Sequence, residues 1–269
     1  MSSDNRPIGV FDSGIGGLTA VTELRKLLPN EDIIYLGDTA RVPYGTKSRE
    51  TILRYAEQDY RFLKNQGVKF TIAACGTVSS VMVGENAFSA DFCTGVIQPT
   101  VEAACKASKN KKIGVIATSA SIRSGCYERL IKQTVPGAEV FSKACPMFVP
   151  LVENGYTAPG CAPAEAIARE YLEPLKAEGI DALILGCTHY PLLSRIISGV
   201  VGSGVSLISS GAEAARYAGG FLEENGLINE SKRAGSLKLF CTDSAELFRE
   251  SAAHFIDLRG AEIEKCSLD

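Results

Sequence analysis

The chain predicts an α/β protein made of two similar α/β units, each built on a mainly parallel sheet. Three observations carry that expectation. Short β-rich runs alternate with longer helical patterns along most of the 269 residues, the order that right-handed crossovers between parallel strands require. A strand, turn, helix and proline pattern occurs twice, as IGVFDSGIGGLTAVTELRKLLP (Ile8–Pro29) and IGVIATSASIRSGCYERLIKQTVP (Ile113–Pro136). Each copy is followed, 67 and 74 residues after its first isoleucine, by a cysteine that ends an apolar run: TIAACGT (Thr71–Thr77) and LILGCTH (Leu183–His189). A repeat of this length means two similar units rather than a solenoid, whose repeats run roughly 20–50 residues.

Taken in order, IGVF (Ile8–Phe11), DIIYL (Asp32–Leu36), FTIAA (Phe70–Ala74) and TGVI (Thr94–Ile97) read as buried strands. Helical spacing fills Leu18–Leu28, Ser48–Asn65 and Thr77–Asn86 between them. The pattern restarts with IGVIA at Ile113–Ala117. A last segment, Ser210–Asp269, offers a helix over Gly211–Asn225, a strand over Leu237–Cys241, a helix over Ser244–Phe255 and a closing strand near Glu262–Cys266. Length balance predicts that this segment completes the first unit. The expected domains are therefore 1–99 plus 210–269, discontinuous, and 100–209. No Pro-, Gly- or Ser-rich linker separates them, so close packing is expected.

Composition narrows the function classes. With 45% hydrophobic and 22% charged residues the chain can bury a sizeable core. The net charge of -3 comes from well-mixed charges without a basic stripe, so direct nucleic-acid contact is not expected. No apolar run approaches the ~18 residues that span a bilayer, and no signal peptide opens the chain, so no membrane association and a cytoplasmic location are expected. Nine cysteines, an odd count without a CxxC pair, read as reduced thiols. The two histidines, His189 and His254, exclude a His-rich metal site, and Cys187 with His189 lacks a second ligand cluster, so no metal is expected. GIGG at Gly14–Gly17 invites a dinucleotide reading, but Thr19 stands where GxGxxG needs its third glycine. A tight turn with exposed amides remains, suited to a carboxylate as well as a phosphate.

The repeated cysteines carry the chemistry. Ligands of parallel α/β sheets sit outside the carboxyl ends of the strands, where Cys75 and Cys187 both fall. A helical segment follows each, and a helix N-terminus is expected to favour the thiolate. If the units face each other, two thiols flank one cleft and can take a proton from one face of a carbon and return one to the other. Inversion of a stereocentre needs that arrangement. A cysteine ending a buried strand is ordinarily a small core residue; the repeat is what separates these two from Cys93, Cys105, Cys126, Cys145, Cys161, Cys241 and Cys266, which read as structural. Asp12 reads either as a cap beside Gly14 or as an acid near Cys75. Glu153 is a second candidate acid, and His189 a proton shuttle beside Cys187. Donors at Ser13, Tyr44, Gly45, Thr77 and Thr188 suit carboxylates. His254, read as mid-helix among apolar residues, is expected to be structural.

These residues resemble the glutamate racemases, cofactor-independent enzymes of bacterial cell-wall synthesis, over nearly the whole chain. The motifs are GVFDSGIGGLTAV (Gly9–Val21), YLGDTARVPYGTKS (Tyr35–Ser48), AACGTVSS (Ala73–Ser80), ACPMFVPLVENG (Ala144–Gly155), LGCTHYPLL (Leu185–Leu193) and SSGAEAA (Ser209–Ala215). The resemblance implies two pseudosymmetric three-layer α/β domains with the active site in the cleft between them, usually in a homodimer. It implies L- and D-glutamate as substrates, interconverted by two cysteines without pyridoxal phosphate or another cofactor, to supply D-glutamate for peptidoglycan. Cys75 then serves the D-enantiomer and Cys187 the L-enantiomer. Asp12 helps on the Cys75 side, and Glu153 and His189 on the Cys187 side. Asp12 and Ser13, Tyr44 and Gly45, Gly76 and Thr77, and Thr188 and His189 match the substrate-binding pairs.

The chain departs from the family at Gly76, where asparagine is common, leaving only a backbone amide there; at Gln98, where glutamate is common; and at Ser209, where aspartate is common. The chain starts just before its first strand, so the activation by a cell-wall precursor associated with an N-terminal extension in some members is not expected. Two other readings stay open at this point. One is a racemase of aspartate or another amino acid. The other is a binding protein, since some members are linked to inhibition of DNA gyrase, although the presence of both cysteines favours catalysis.

Overall fold

The computed structural model describes residues 4–83 and 92–268, and its strands follow the apolar runs of the sequence. In chain order β1 (Ile8–Asp12) leads through α1 (Leu18–Leu27) to β2 (Ile33–Gly37), α2 (Arg49–Asn65), β3 (Phe70–Ala73), α3 (Gly76–Met82) and β4 (Cys93–Gly95). Then come α4 (Ile97–Ala107), β5 (Lys112–Ala117), α5 (Ser119–Arg123), α6 (Cys126–Thr134), β6 (Glu139–Ala144), α7 (Phe148–Glu153), α8 (Ala162–Ala177), β7 (Ala182–Leu185), α9 (Ser194–Val201) and β8 (Ser206–Ser209). The chain closes with α10 (Ser210–Glu224), β9 (Leu237–Cys241), α11 (Ala245–Ala252) and β10 (Glu262–Lys265).

The strands form two sheets, ordered β10-β9-β2-β1-β3-β4 and β6-β5-β7-β8. Among the described residues every paired strand runs parallel to its neighbour. Strands β1 and β3 are buried along their whole length, as strands covered on both faces must be, which explains their continuous apolar runs. The edge strands β6 (EVFSKA) and β10 (EIEK) instead carry charge, and no residue of either is buried: β6 is mostly half-buried and β10 mostly exposed. That charge keeps an open edge from pairing with another chain.

The chain divides into two compact units, residues 1–96 with 211–269, and residues 97–210. In the first, β1 lies between β2 and β3, so the crossover from β2 to β3 reverses the direction of strand addition. The second repeats this order with β5 between β6 and β7. Such a reversal opens a crevice at the carboxyl ends of the two strands that flank it, here β1 with β3 and β5 with β7.

Helix α2 shows how sequence sets the packing of the first unit. The Ser48 hydroxyl caps it by accepting from the Thr51 N–H at 3.2 Å, with Glu50 in the first turn and Lys64 in the last, each at the favourable end of the helix dipole. Ile52, Ala56, Asp59 and Leu63 form its buried stripe. Except for Asp59, they join Phe11, Leu36, Tyr44, Ala73, Cys75, Val78 and Phe240 in one core.

Three expectations need correction. The strand expected over Thr94–Ile97 stops at Gly95: the Val96 N–H turns to the Ser79 hydroxyl at 3.0 Å, and α4 begins at Ile97. Pro99 is tolerated there because first-turn amides have no helical acceptor. His254 is not mid-helix; α11 ends at Ala252, Phe255 and Ile256 turn inward, and His254 is exposed. The helix expected over Thr77–Asn86 is seen as Gly76–Met82 with its C-cap at Val83, and residues 84–86 of that expectation lie outside the described residues.

Candidate active site

The two cysteines hold equivalent places in the two units. In the first, the ladder between β1 and β3 closes with the Ala74 N–H on the Phe11 carbonyl at 2.8 Å, and Cys75 is the next residue. In the second, the Gly186 N–H reaches the Ile116 carbonyl at 2.7 Å, and Cys187 is the next residue. Phe11 and Ile116 are themselves matched by the sequence repeat. Both thiols therefore leave the carboxyl edge beside the reversal point of their sheet.

Around Cys75 the loop after β1 supplies the neighbours. Ser13 Oγ lies 3.4 Å from Cys75 Sγ. Asp12 is 3% exposed, and its Oδ1 accepts the Gly14 N–H at 2.9 Å. It does not cap α1, whose N-cap is Gly17 with no side-chain bond. A Cβ on Gly17 would fall 2.7 Å from the Asp12 Cβ, so this close turn requires glycine. Tyr35, fully buried, donates to the Gly14 carbonyl at 2.8 Å and pins the loop from below. Gly76 and Thr77 open α3, with Thr77 buried.

Burial, and after it the Asp12 carboxylate, push the Cys75 thiol up to about 12, against hydrogen bonds from Ser13 and the Val78 N–H that favour the thiolate. The expectation of a lowered value at a helix N-terminus is thus reversed: the single dipole of the seven-residue α3 is outweighed by complete desolvation. This has a stability consequence. The folded value lies above the unfolded one of about 8.5, so the fold favours the protonated thiol. That stabilisation is fully present below the unfolded value and is lost as pH rises towards about 12. Thermal melts across the alkaline range should show a smaller decline for Cys75→Ser than for the parent protein; an identical decline would refute the assignment.

Around Cys187 the arrangement is a line of acid–base groups. His189 Nδ1 lies 3.9 Å from Cys187 Sγ and 3.4 Å from Thr188 Oγ1. His189 Nε2 lies 3.0 Å from Glu153 Oε1 at the end of α7. In the tautomer whose Nε2–H donates to Glu153 Oε1, the Nδ1 lone pair faces the thiol. Cys187, Thr188 and His189 are each under 9% exposed, whereas the Glu153 side chain is 43% exposed. A Cβ on Gly186 would meet the Ile116 carbonyl at 2.9 Å, so only glycine lets β7 deliver Cys187 this close to β5. The Tyr190 hydroxyl donates to the Cys145 carbonyl at 2.8 Å and anchors the turn that follows.

Tyr44 is placed differently from the other expected residues. Its side chain is 1% exposed, and its hydroxyl is engaged with Asp38 and Asp59. What it and the half-buried Gly45 offer a ligand is main chain. Of the cysteines read as structural, Cys126, Cys145 and Cys241 are buried and Cys93, Cys105, Cys161 and Cys266 are half-buried. Among the described residues no three His, Cys, Asp or Glu side chains come together to hold a metal ion, and no helix is long and apolar enough to cross a membrane.

Sequence reasoning passed over four residues here. Thr118 follows β5 where Ser13 follows β1, as the repeat alignment indicates, and its hydroxyl caps α5. Tyr35 and Tyr127 are buried phenols whose pKa values are raised by burial first and then by charges that include Cys75 and Cys187, respectively. Asp59 is a fully buried carboxyl on an otherwise apolar stripe, a position legible in the sequence from its helical spacing.

Comparison with known proteins bears on the family and the fold. The sequence profile of the Asp/Glu/Hydantoin racemase family matches residues 19–218. The chain is 40% identical to the glutamate racemase of Geobacter metallireducens over 266 residues, covering 98% of this chain and 97% of that protein. It is 45% identical to that of Aquifex aeolicus over 240 residues, 89% of each. Among solved structures it is similar to the glutamate racemase of Francisella tularensis in complex with D-glutamate, with a TM-score of 0.86 and 41% identity over 99% of both chains. Two parallel sheets with interleaved helices, a repeated cysteine and these likenesses converge: the chain belongs to the Asp/Glu/Hydantoin racemase family and is an isomerase of the amino-acid racemase class.

Proposed function

We propose that this protein interconverts L- and D-glutamate by a two-base 1,1-proton transfer between Cys75 and Cys187, with no cofactor. The observation that carries the reading is the equivalent placement of the two cysteines, each beside its own acid–base neighbours. The named substrate of relatives about 40% identical over nearly the full length supports glutamate.

In the L-to-D direction Cys187, as thiolate, takes the α-proton; the C–H bond breaks and an S–H bond forms. The Cys75 thiol gives its proton to the opposite face of the same carbon and becomes thiolate. Charge is conserved and the two sulfurs exchange roles, leaving the enzyme ready for the reverse reaction. The raised Cys75 pKa suits it to wait as the acid in this direction. His189 shares the proton load on Cys187, with Glu153 holding its ring. Asp12 opposes charge on Cys75 in the same way that a proton donor needs. Ser13, Gly76, Thr77, Thr188 and the Tyr44–Gly45 main chain hold the two carboxylates and the amino group. The supply of D-glutamate for peptidoglycan, a cytoplasmic location and a homodimer belong to the same proposal and rest on the family.

The test is incubation of either enantiomer in heavy water without added cofactor, followed by chiral analysis and mass measurement. Inverted glutamate carrying deuterium at the α-carbon is expected. Folded protein that leaves glutamate unlabelled and uninverted would refute the reading, and a parallel aspartate incubation decides between the two amino acids.

A further inference from the structure

Asp59 occupies a place in α2 where a carboxylate needs a reason. It lies on the buried stripe with Ile52, Ala56 and Leu63 and has no exposed surface. Its Oδ1 accepts from Arg41 Nη2 at 3.2 Å, and its Oδ2 lies 3.1 Å from the Tyr44 hydroxyl. The same hydroxyl donates to Asp38 Oδ2. Asp38, also fully buried, accepts Arg41 Nε at 2.5 Å and the Thr242 hydroxyl at 2.9 Å. Arg41 Nη1 donates to Gln58 Oε1 at 2.6 Å.

Two counts must close. A tyrosine hydroxyl has one hydrogen, yet Tyr44 lies against two carboxyl oxygens. Arg41 brings one positive charge to two buried carboxyl groups, and a second buried anion would be uncompensated. Both counts close when Asp59 carries a proton. Asp59 Oδ2–H then donates to Tyr44 Oη, Tyr44 O–H donates to Asp38, and Asp38 is the ionised partner of Arg41. Every member of the cluster is satisfied in that state, and the contacts place the proton on Asp59 rather than Asp38: Asp38 takes the shorter Arg41 contact, 2.5 Å against 3.2 Å, and the Thr242 hydroxyl as well.

We propose that Asp59 is a protonated positioning residue which, through Tyr44, Asp38 and Arg41, fixes segment 39–46 and so aims the Tyr44–Gly45 main chain at the substrate. This rests on the proposed function for the substrate itself. Burial first, and the Asp38 charge second, push the Asp59 carboxyl well above the usual range, which agrees with the hydrogen count. Segment 39–46 is two single 3-10 turns, Thr39–Arg41 and Tyr44–Thr46, joined by the extended Val42 and Pro43, with little regular hydrogen bonding to hold it otherwise.

The experiment compares Asp59→Asn with Asp59→Ala. The asparagine amide keeps an acceptor for Arg41 and an N–H donor for Tyr44, so kcat and KM for glutamate should stay within about twofold of the parent. The alanine variant strips Arg41 Nη2 and the Tyr44 oxygen of their Asp59 contacts, and KM should rise about tenfold, the scale of one buried unsatisfied group, with kcat falling less. Independently of activity, the infrared difference spectrum of parent minus Asp59→Asn at neutral pH should contain the carbonyl band of a protonated carboxylic acid. Absence of that band, or an Asp59→Asn protein that fails to fold or shows a KM raised about tenfold over the parent, overturns the proposal. Neither decisive readout needs the alanine variant to fold. A parent protein inert towards both enantiomers sinks the racemase reading and the positioning role with it, while the band still reports the protonation of Asp59 separately.

Discussion

Replacing either Cys75 or Cys187 by serine should lower the racemisation of glutamate by roughly 10²–10⁴-fold, the share that a positioned proton-transfer group supplies. The two losses must also obey a constraint that does not depend on this protein. Enantiomers have equal free energy, so the equilibrium constant is unity and kcat/KM must fall by the same factor in both directions for any variant. Steady-state kinetics alone therefore cannot say which thiol serves which enantiomer. Proton exchange can. A chain left with Cys75 alone can still take the α-proton of D-glutamate and return a solvent proton to the same face. Cys187→Ser should accordingly wash deuterium into D-glutamate without inverting it and leave L-glutamate unlabelled, and Cys75→Ser should do the opposite. Exchange of both enantiomers by a single-cysteine variant would mean that a third group reaches the carbon, and the two-thiol mechanism would fall.

The same two cysteines show what the sequence could and could not disclose. Strands β1, β3, β5 and β7 were legible because a parallel sheet is buried on both faces, so each strand is a predominantly apolar run. The cysteines were legible because the repeat put each one step beyond an equivalent ladder bond. The electrostatics were not. Proximity to a helix start suggested an easily ionised Cys75, whereas the extent of burial, a tertiary property, decides the direction. Glu153 and His189, 36 residues apart, could be named as separate candidates, but their 3.0 Å contact depends on how α7 packs beside the turn after β7. The sequence alone suggests the Tyr44 hydroxyl as a donor to substrate, but the buried carboxyls of Asp38 and Asp59 claim that hydroxyl and leave only the Tyr44 main chain to offer. Asp59 itself stood in plain view at a core position of α2 and was hidden only by its residue type.

Removing the His189 ring should cost far more than removing the charge of Glu153. His189 lies within hydrogen-bonding reach of both Cys187 Sγ and Glu153 Oε1, and it is buried while the Glu153 side chain is 43% exposed. An exposed carboxylate is screened by solvent, and in Glu153→Gln the amide oxygen can still accept the Nε2 proton. His189→Ala should therefore lower kcat/KM by about 10²-fold or more, the lower range for a general acid–base group. Glu153→Gln should lower it by about tenfold or less, one charge-assisted hydrogen bond exchanged for a neutral one. Both losses must again be equal in the two directions. The local character of the effect should appear in exchange: His189→Ala should slow solvent labelling of L-glutamate while D-glutamate, served by Cys75, still labels. If the two variants lose activity equally, Glu153 touches the reaction directly rather than through the ring. If labelling of both enantiomers slows together, His189 acts on the fold of the turn and not on the proton at Cys187.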